Sequence, residues 1–153
     1  MPDMAPDTPP GTMRWSHVGL NCRDQKATEE FYTRYFGFRR ARVADAEGTR
    51  IIFLRRGEAL LELFPSAAAP APEAENDGPA TPGVARHLAF QVDDVDTFLA
   101  LAGDDAHITL GPLKFDEYIP GWKTVWVRDP DGVILEVSQG YVDQTPEELE
   151  QYA

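Results

Sequence analysis

The same order of elements is written twice in this chain, and that repeat limits its fold more than any other feature. Residues 17–24 read HVGLNCRD and residues 87–94 read HLAFQVDD. Each predicts a short alternating strand that opens on His and ends in residues suited to start a helix. Helical spacing follows in both places: Phe31, Tyr35 and the neighbouring Phe36 before Gly37, then Val95, Phe98, Leu99 and Ala102 before Gly103. Glycine is a natural helix stop because it takes left-handed backbone angles without strain. Each block closes with a strand, a tight turn and a strand, IIFLRRGEALLELF in the first and TVWVRDPDGVILEVS in the second. Room remains for one further strand per block, around Arg39–Val43 and Ile108–Leu110. Each block is therefore a βαβββ unit, and the fold class is α+β.

Composition sets the boundaries. Residues 1–13 are rich in Pro and Asp with little to bury, and read as a disordered tail. Residues 65–83, PSAAAPAPEAENDGPATPG, read as a linker. The two modules are then residues 14–64 and 84–140. Residues 141–153 form a C-terminal tail with a short helix, for which Thr145, Pro146 and Glu148 supply a capping box.

The net charge of −12 argues against a nucleic-acid partner or an anionic membrane surface. The one cysteine, Cys22, excludes an internal disulfide framework and fits a reducing cytoplasm. No stretch approaches the roughly 20 apolar residues of a membrane span, and the first residues lack the pattern of a secretory signal. The expected setting is cytoplasmic, with a small molecule as the binding partner.

Glu62 sits among leucines in ALLELFPS, and an unpaired buried carboxylate is costly. Aligning the repeats places it on Glu136 of GVILEVS. The intervals His17–Glu62 and His87–Glu136 are 45 and 49 residues. Strand parity puts His17, Gly19 and Asn21 on one face and leaves Leu20 and Cys22 for the helix side; His87, Ala89 and Gln91 repeat the pattern. Two such units paired about a pseudo-twofold axis bring His17, Glu62, His87 and Glu136 toward one point. Two imidazoles and two carboxylates suit a divalent first-row metal, one ion per site, with Ni, Co, Zn, Mn and Fe all admissible. The third histidine, His107, falls in a loop and reads as a surface residue.

The segments HVGLNCRDQKATEEFYTRYFGF, ALLELFPS, GVARHLAFQVDDVD and WVRDPDGVILEVSQ resemble the vicinal oxygen chelate superfamily, which includes glyoxalase I, methylmalonyl-CoA epimerase, extradiol dioxygenases and bleomycin- or fosfomycin-resistance proteins. The resemblance covers about residues 14–140. It implies paired βαβββ modules forming a U-shaped mixed sheet around a metal site, and it carries the four ligand roles onto His17, Glu62, His87 and Glu136. A glutathione substrate is disfavoured, because Asn21 and Ser66 stand where glyoxalase I typically has Arg and Asn. ALLELFPS is closer to the methylmalonyl-CoA epimerase type.

A metal bound to a carbonyl polarises it and stabilises a developing enolate, while a neighbouring carboxylate moves the proton. The expected activity is that of a metal-dependent isomerase, epimerase or lyase acting next to a carbonyl of a small oxygenated substrate. Glu136 is the first choice of base and Glu62 the second. Asn21, Gln91, Tyr118, Trp122 and Glu47 are candidate substrate contacts. Phe115, Tyr118, Trp122 and Trp126 could form an aromatic lid or fill an interface. Arg50, Arg55, Arg56 and Lys123 read as scattered surface charge. Two other classes stay open: an Fe(II)-dependent ring-cleaving or other dioxygenase in which Glu62 is no ligand, and a non-catalytic metabolite- or antibiotic-binding resistance protein. A homodimer is expected, and the linker allows module pairing within one chain or across two.

Overall fold

A computed structural model describes residues 13–153, so the expected tail over residues 1–13 lies outside the described residues except for Met13. Two compact units divide the chain, residues 1–67 and 68–153, and each is built on a four-stranded mixed sheet.

In unit 1, strand β1 (Val18–Cys22) leads into helix α1 (Gln25–Phe36). The Asp24 side chain accepts from the backbone N–H groups of Lys26 and Ala27, satisfying two donors that a helix leaves open at its start. At the other end Gly37 takes φ 70°, and its N–H closes on the Thr33 carbonyl. Strands β2 (Arg39–Ala46), β3 (Thr49–Arg56) and β4 (Ala59–Pro65) follow as an antiparallel meander. β4 then pairs in parallel with β1, giving the sheet order β1-β4-β3-β2. The core is the helix-facing side: Leu20, Cys22, Tyr32, Phe38, Ile52, Leu54, Leu61 and Leu63 are buried. The opposite face carries Gly19, Asn21, Phe53, Glu62 and Phe64.

Unit 2 repeats the plan with β5 (Leu88–Gln91), α2 (Val95–Ala102), β6 (Ile108–Lys114), β7 (Lys123–Arg128) and β8 (Ile134–Gln139), in the order β5-β8-β7-β6. Asp94 caps α2 through the Thr97 N–H, and Gly103 ends it. The turn between β7 and β8 is organised by Asp129, whose carboxylate accepts from the N–H groups of Asp131 and Val133. Thr145 and Glu148 make the predicted capping box on α3 (Pro146–Leu149).

Residues 66–87 contain no helix or strand, and Pro65, the first residue of the expected linker 65–83, ends β4. Their later part is nonetheless fastened to unit 2. The carbonyls of Ala74, Asn76 and Asp77 accept from Arg128, Thr109 and His87 respectively, and Glu73 and Asp77 pair with Arg128 and Arg86. A linker judged only by side-chain composition hides this, because the anchoring groups are mostly backbone carbonyls. Among the described residues no helix is long and apolar enough to cross a membrane.

Candidate metal centre

In each unit a histidine just before the first strand meets a glutamate of the last strand. Parallel pairing of β1 with β4 sets Val18 opposite Leu61 and Gly19 opposite Glu62, so His17 and Glu62 rise from the same end and face. His17 Nε2 lies 2.9 Å from Glu62 Oε2. Parallel pairing of β5 with β8 repeats the placement, with His87 Nε2 3.3 Å from Glu136 Oε2. Both carboxylates are largely covered, Glu62 at 17% and Glu136 at 16% side-chain exposure. An aromatic ring stands edge-on to each imidazole, Phe53 beside His17 at 6.4 Å and Trp126 beside His87 at 6.5 Å. Phe53 pairs with Glu62 across the sheet and Trp126 with Glu136, so the equivalence extends to a third residue.

The two pairs differ in their support. His87 Nδ1 lies 2.7 Å from the Asp77 carbonyl, which can only accept, so this nitrogen carries the proton. With Nδ1 carrying a proton, Nε2 faces the carboxylate oxygen across a gap that takes a proton or a cation. A cation between them satisfies both. His17 Nδ1 is 2.7 Å from the Ser16 hydroxyl, which can donate or accept and leaves the tautomer free. Glu136 is also held from behind: buried Thr124 donates to Oε1 at 3.1 Å. Glu62 has no such hydroxyl partner among the described residues.

The donor set fits a divalent metal. With ligand bonds of roughly 2.1 Å, adjacent donors on one ion stand about 3.0–3.4 Å apart, close to both His–Glu separations. Orientation of His87 by a carbonyl and of Glu136 by a hydroxyl is the outer support that metal ligands ordinarily have. Among the described residues, no group of three or more His, Cys, Asp or Glu comes together, so the four predicted ligands are seen as two separate pairs. Each unit holds one His–Glu pair.

The other sequence candidates fall in distinct places. Asn21 lies on the Glu62 face of β1, exposed and opposite Phe64. Gln91 lies on the Glu136 face of β5, exposed and opposite Ser138. Glu47 occupies the tip of the β2–β3 turn with φ 52° beside Gly48 at φ 80°, exposed and remote in sequence register from Glu62. Trp122 is tied down: Nε1 donates to Ser138 Oγ at 3.0 Å, and its ring meets Phe115 and Tyr141. Tyr118 is 71% exposed at the tip of a loop closed by the Phe115 N–H on the Trp122 carbonyl. The aromatic segment is thus a compact turn whose rings stack on one another. With the C-terminal tail it borders an open groove of about 950 Å³ lined by Tyr118, Tyr141, Leu149 and Tyr152, which includes neither His87 nor Glu136. His107 is exposed, as predicted, with Nε2 3.2 Å from Arg128. Sequence reasoning missed Thr124 and Asp77 beside the His87–Glu136 pair, and it grouped Trp126 with the aromatic loop although Trp126 lies in β7. Trp126 is buried, and its indole N–H has no acceptor among the described residues.

The family model described as the Glyoxalase/Bleomycin resistance protein/Dioxygenase superfamily matches residues 14–137, which is most of the chain. The chain belongs to this superfamily. The glyoxalase family protein from Enterococcus faecalis has a similar structure, with TM-score 0.64, 30% identity, and coverage of 82% of this chain and 96% of that one. The glyoxalase/dioxygenase from Nostoc punctiforme is similar in fold at TM-score 0.64 and 24% identity, covering 88% and 97%. So is the fosfomycin resistance protein FosX from Listeria monocytogenes, at TM-score 0.61 and 14% identity, covering 86% and 95%, in a crystal structure with Mn(II) and sulfate. No curated protein matches the chain. The superfamily contains metal-dependent enzymes as well as resistance proteins, and its glyoxalase-type fold is the one seen in both units.

Proposed function

We propose that this superfamily member is a divalent-metal-dependent isomerase or epimerase that moves a proton on the carbon next to a carbonyl. The observation that carries the reading is the duplicated pair, His17 with Glu62 and His87 with Glu136, each with Nε2 turned to a carboxylate oxygen. These four residues would hold the ion. When bound, it supplies Lewis acidity toward a substrate carbonyl oxygen.

The two glutamates then divide the work. Glu136 has one oxygen toward His87 and the other on Thr124, so both are committed and the side chain is a fixed anchor. Among the described residues Glu62 has only His17 as a polar partner and keeps an oxygen free for a proton. This favours Glu62 as the base, reversing the order suggested by the sequence. Among the described residues the buried indole N–H of Trp126, on the same sheet face as Glu136, has no acceptor. Phe53 and Trp126 beside the imidazoles supply apolar walls that limit water.

The test is to purify the protein natively, measure its bound metal, and follow both oxygen uptake and solvent deuterium incorporation into candidate hydroxy ketones and acyl thioesters. One metal per two His–Glu pairs with deuterium incorporation and no oxygen uptake is the expected result. Iron together with oxygen consumption would overturn it in favour of a dioxygenase, and metal without exchange or turnover would leave a binding protein.

A further inference from the structure

The charge of the chain is divided unevenly. Of its 14 Lys and Arg residues ten lie in residues 1–67, against nine of its 26 Asp and Glu residues. In an acidic protein this near-neutral unit is a place where cations have been concentrated. Most cations elsewhere are neutralised: Arg86, Lys123 and Arg128 each meet a carboxylate, as do Arg40 and Arg50 in unit 1.

Three of the remaining arginines of unit 1 share one sheet face, and a backbone irregularity explains this. The register of β2 against β3 shifts between Arg40 and Arg42. Before the shift Arg39 pairs with Arg55 and Arg40 with Leu54; after it Arg42 pairs with Phe53. Paired residues share a face, so Arg40 lies on the helix side with buried Leu54, where it reaches Glu29 at 2.6 Å. Arg39, Arg42 and Arg55 lie on the opposite side with Phe53, the side of His17 and Glu62. Unbroken alternation would have set Arg39 and Arg42 on opposite faces. Bulges commonly re-aim side chains beside functional sites.

The three positions are in line with the His17–Glu62 pair. Gly19, Glu62, Phe53 and Arg42 form one row straight across the sheet, and Leu60, Arg55 and Arg39 form the next. Two strand spacings place the Arg42 backbone about 10 Å from that of Glu62. None of the three guanidinium groups meets a carboxylate among the described residues. Arg39 donates to the neighbouring Phe38 carbonyl, Arg55 makes a long 3.4 Å contact to the Gly57 carbonyl, and Arg42 has no hydrogen-bond or ion-pair partner among the described residues.

We propose that Arg39, Arg42 and Arg55 form an anion subsite, so that the substrate of the centre is a small acid. Its chelating oxygens lie at the His17–Glu62 end, its flat or apolar body lies against Phe53, and its carboxylate or phosphate is received by the arginines on the outer strands. Planar guanidinium groups pair with such oxyanions through two parallel hydrogen bonds, which gives orientation as well as charge. The naming of the substrate class rests on the proposed metal centre, whereas the subsite itself stands on unit 1 alone.

The probe is phenyl phosphate titrated into metal-free protein, with benzyl alcohol as the neutral counterpart and arginine Nε–H resonances as the readout. Saturable shifts at Arg39, Arg42 and Arg55 are expected. Arg42→Gln and Arg55→Gln should each weaken binding by about fivefold to tenfold, while Arg56→Gln, one residue along but on the helix side against Gly37, should change it less than about twofold. Absence of saturable binding, equal binding of benzyl alcohol, or an equal loss in Arg56→Gln would overturn the proposal. Protein that takes up metal but not phenyl phosphate removes the subsite and leaves the proposed function standing. Protein that binds phenyl phosphate but no metal does the reverse.

Discussion

His87 donates its Nδ1–H to the Asp77 carbonyl at 2.7 Å, and this one bond decides which nitrogen faces Glu136. The donor lies just before β5 and the acceptor in a segment without regular structure, ten residues earlier. The bond turns a stretch of Pro, Ala and Gly into part of the site.

That bond depends on Gly78. Its φ is 116°, and a methyl group there would meet the Arg86 carbonyl oxygen at 1.7 Å. Gly78→Ala must move the 77–86 backbone and take the Asp77 carbonyl from His87. Metal affinity should fall by about tenfold or more, as for lost outer-shell partners. Calorimetric metal titration checks this, with thermal melting to confirm that the variant is folded. Unchanged affinity would show that the carbonyl does not orient the ring.

Thr124 is fully buried and gives its hydroxyl proton to Glu136. Thr124→Val keeps the shape and removes the donor, leaving the carboxylate less well held. The expected outcome is about tenfold weaker metal binding and a loss of about 1 kcal/mol in stability. Thr124→Ser should restore most of both. Equal metal affinity in the valine and serine variants would exclude a positioning role.

The unequal support of the two glutamates predicts unequal variants. Glu62→Gln should keep measurable metal while losing solvent deuterium exchange by about a hundredfold or more, the typical contribution of a general base. Glu136→Gln should weaken the metal first, with exchange recovering in part at high metal concentration. Metal binding and exchange measured on the same preparations separate the two. The opposite split would return the base to Glu136.

Tyr141 contributes a pH dependence outside the site. Its hydroxyl bonds to Asp143, whose negative charge also opposes the phenolate, and both raise its pKa above the ordinary 10.0. A group whose folded pKa is raised adds stability that is complete below its unfolded value and is lost as pH rises through the folded value. Ultraviolet titration should therefore show the Tyr141 contribution, read as the difference from Tyr141→Phe, above the ordinary tyrosine value. Asp143→Asn should lower it, and a Tyr141 contribution at the ordinary value in the parent protein would contradict the contact.

Much of the fold was readable because its signals are local. Asp24 and Asp94 cap helices through their own side chains, Gly37 and Gly103 end them, and the turn at Asp129–Gly132 is organised by Asp129 itself. Alternation separated Leu61 and Leu63 from Glu62 correctly, since a strand has a period of two. The His and Glu candidates were readable because the repeat supplied each with a counterpart. Glu47 was the weakest of these readings: its acidity drew attention, but its place is a turn tip with left-handed backbone.

The sequence by itself determined two βαβββ units and their order, because periodicity, caps and turns act over a few residues. Tertiary structure alone decided how the histidines and glutamates are supported and aimed. Thr124 reaches Glu136 only through strand pairing, and the Asp77 carbonyl is a backbone group that no side-chain pattern reveals. One extra residue in β2 set Arg39 and Arg42 on the same sheet face as Arg55. The physical reason is the same in each case: a pattern of side chains encodes burial, while backbone acceptors, cross-strand partners and bulges exist only once two segments have met.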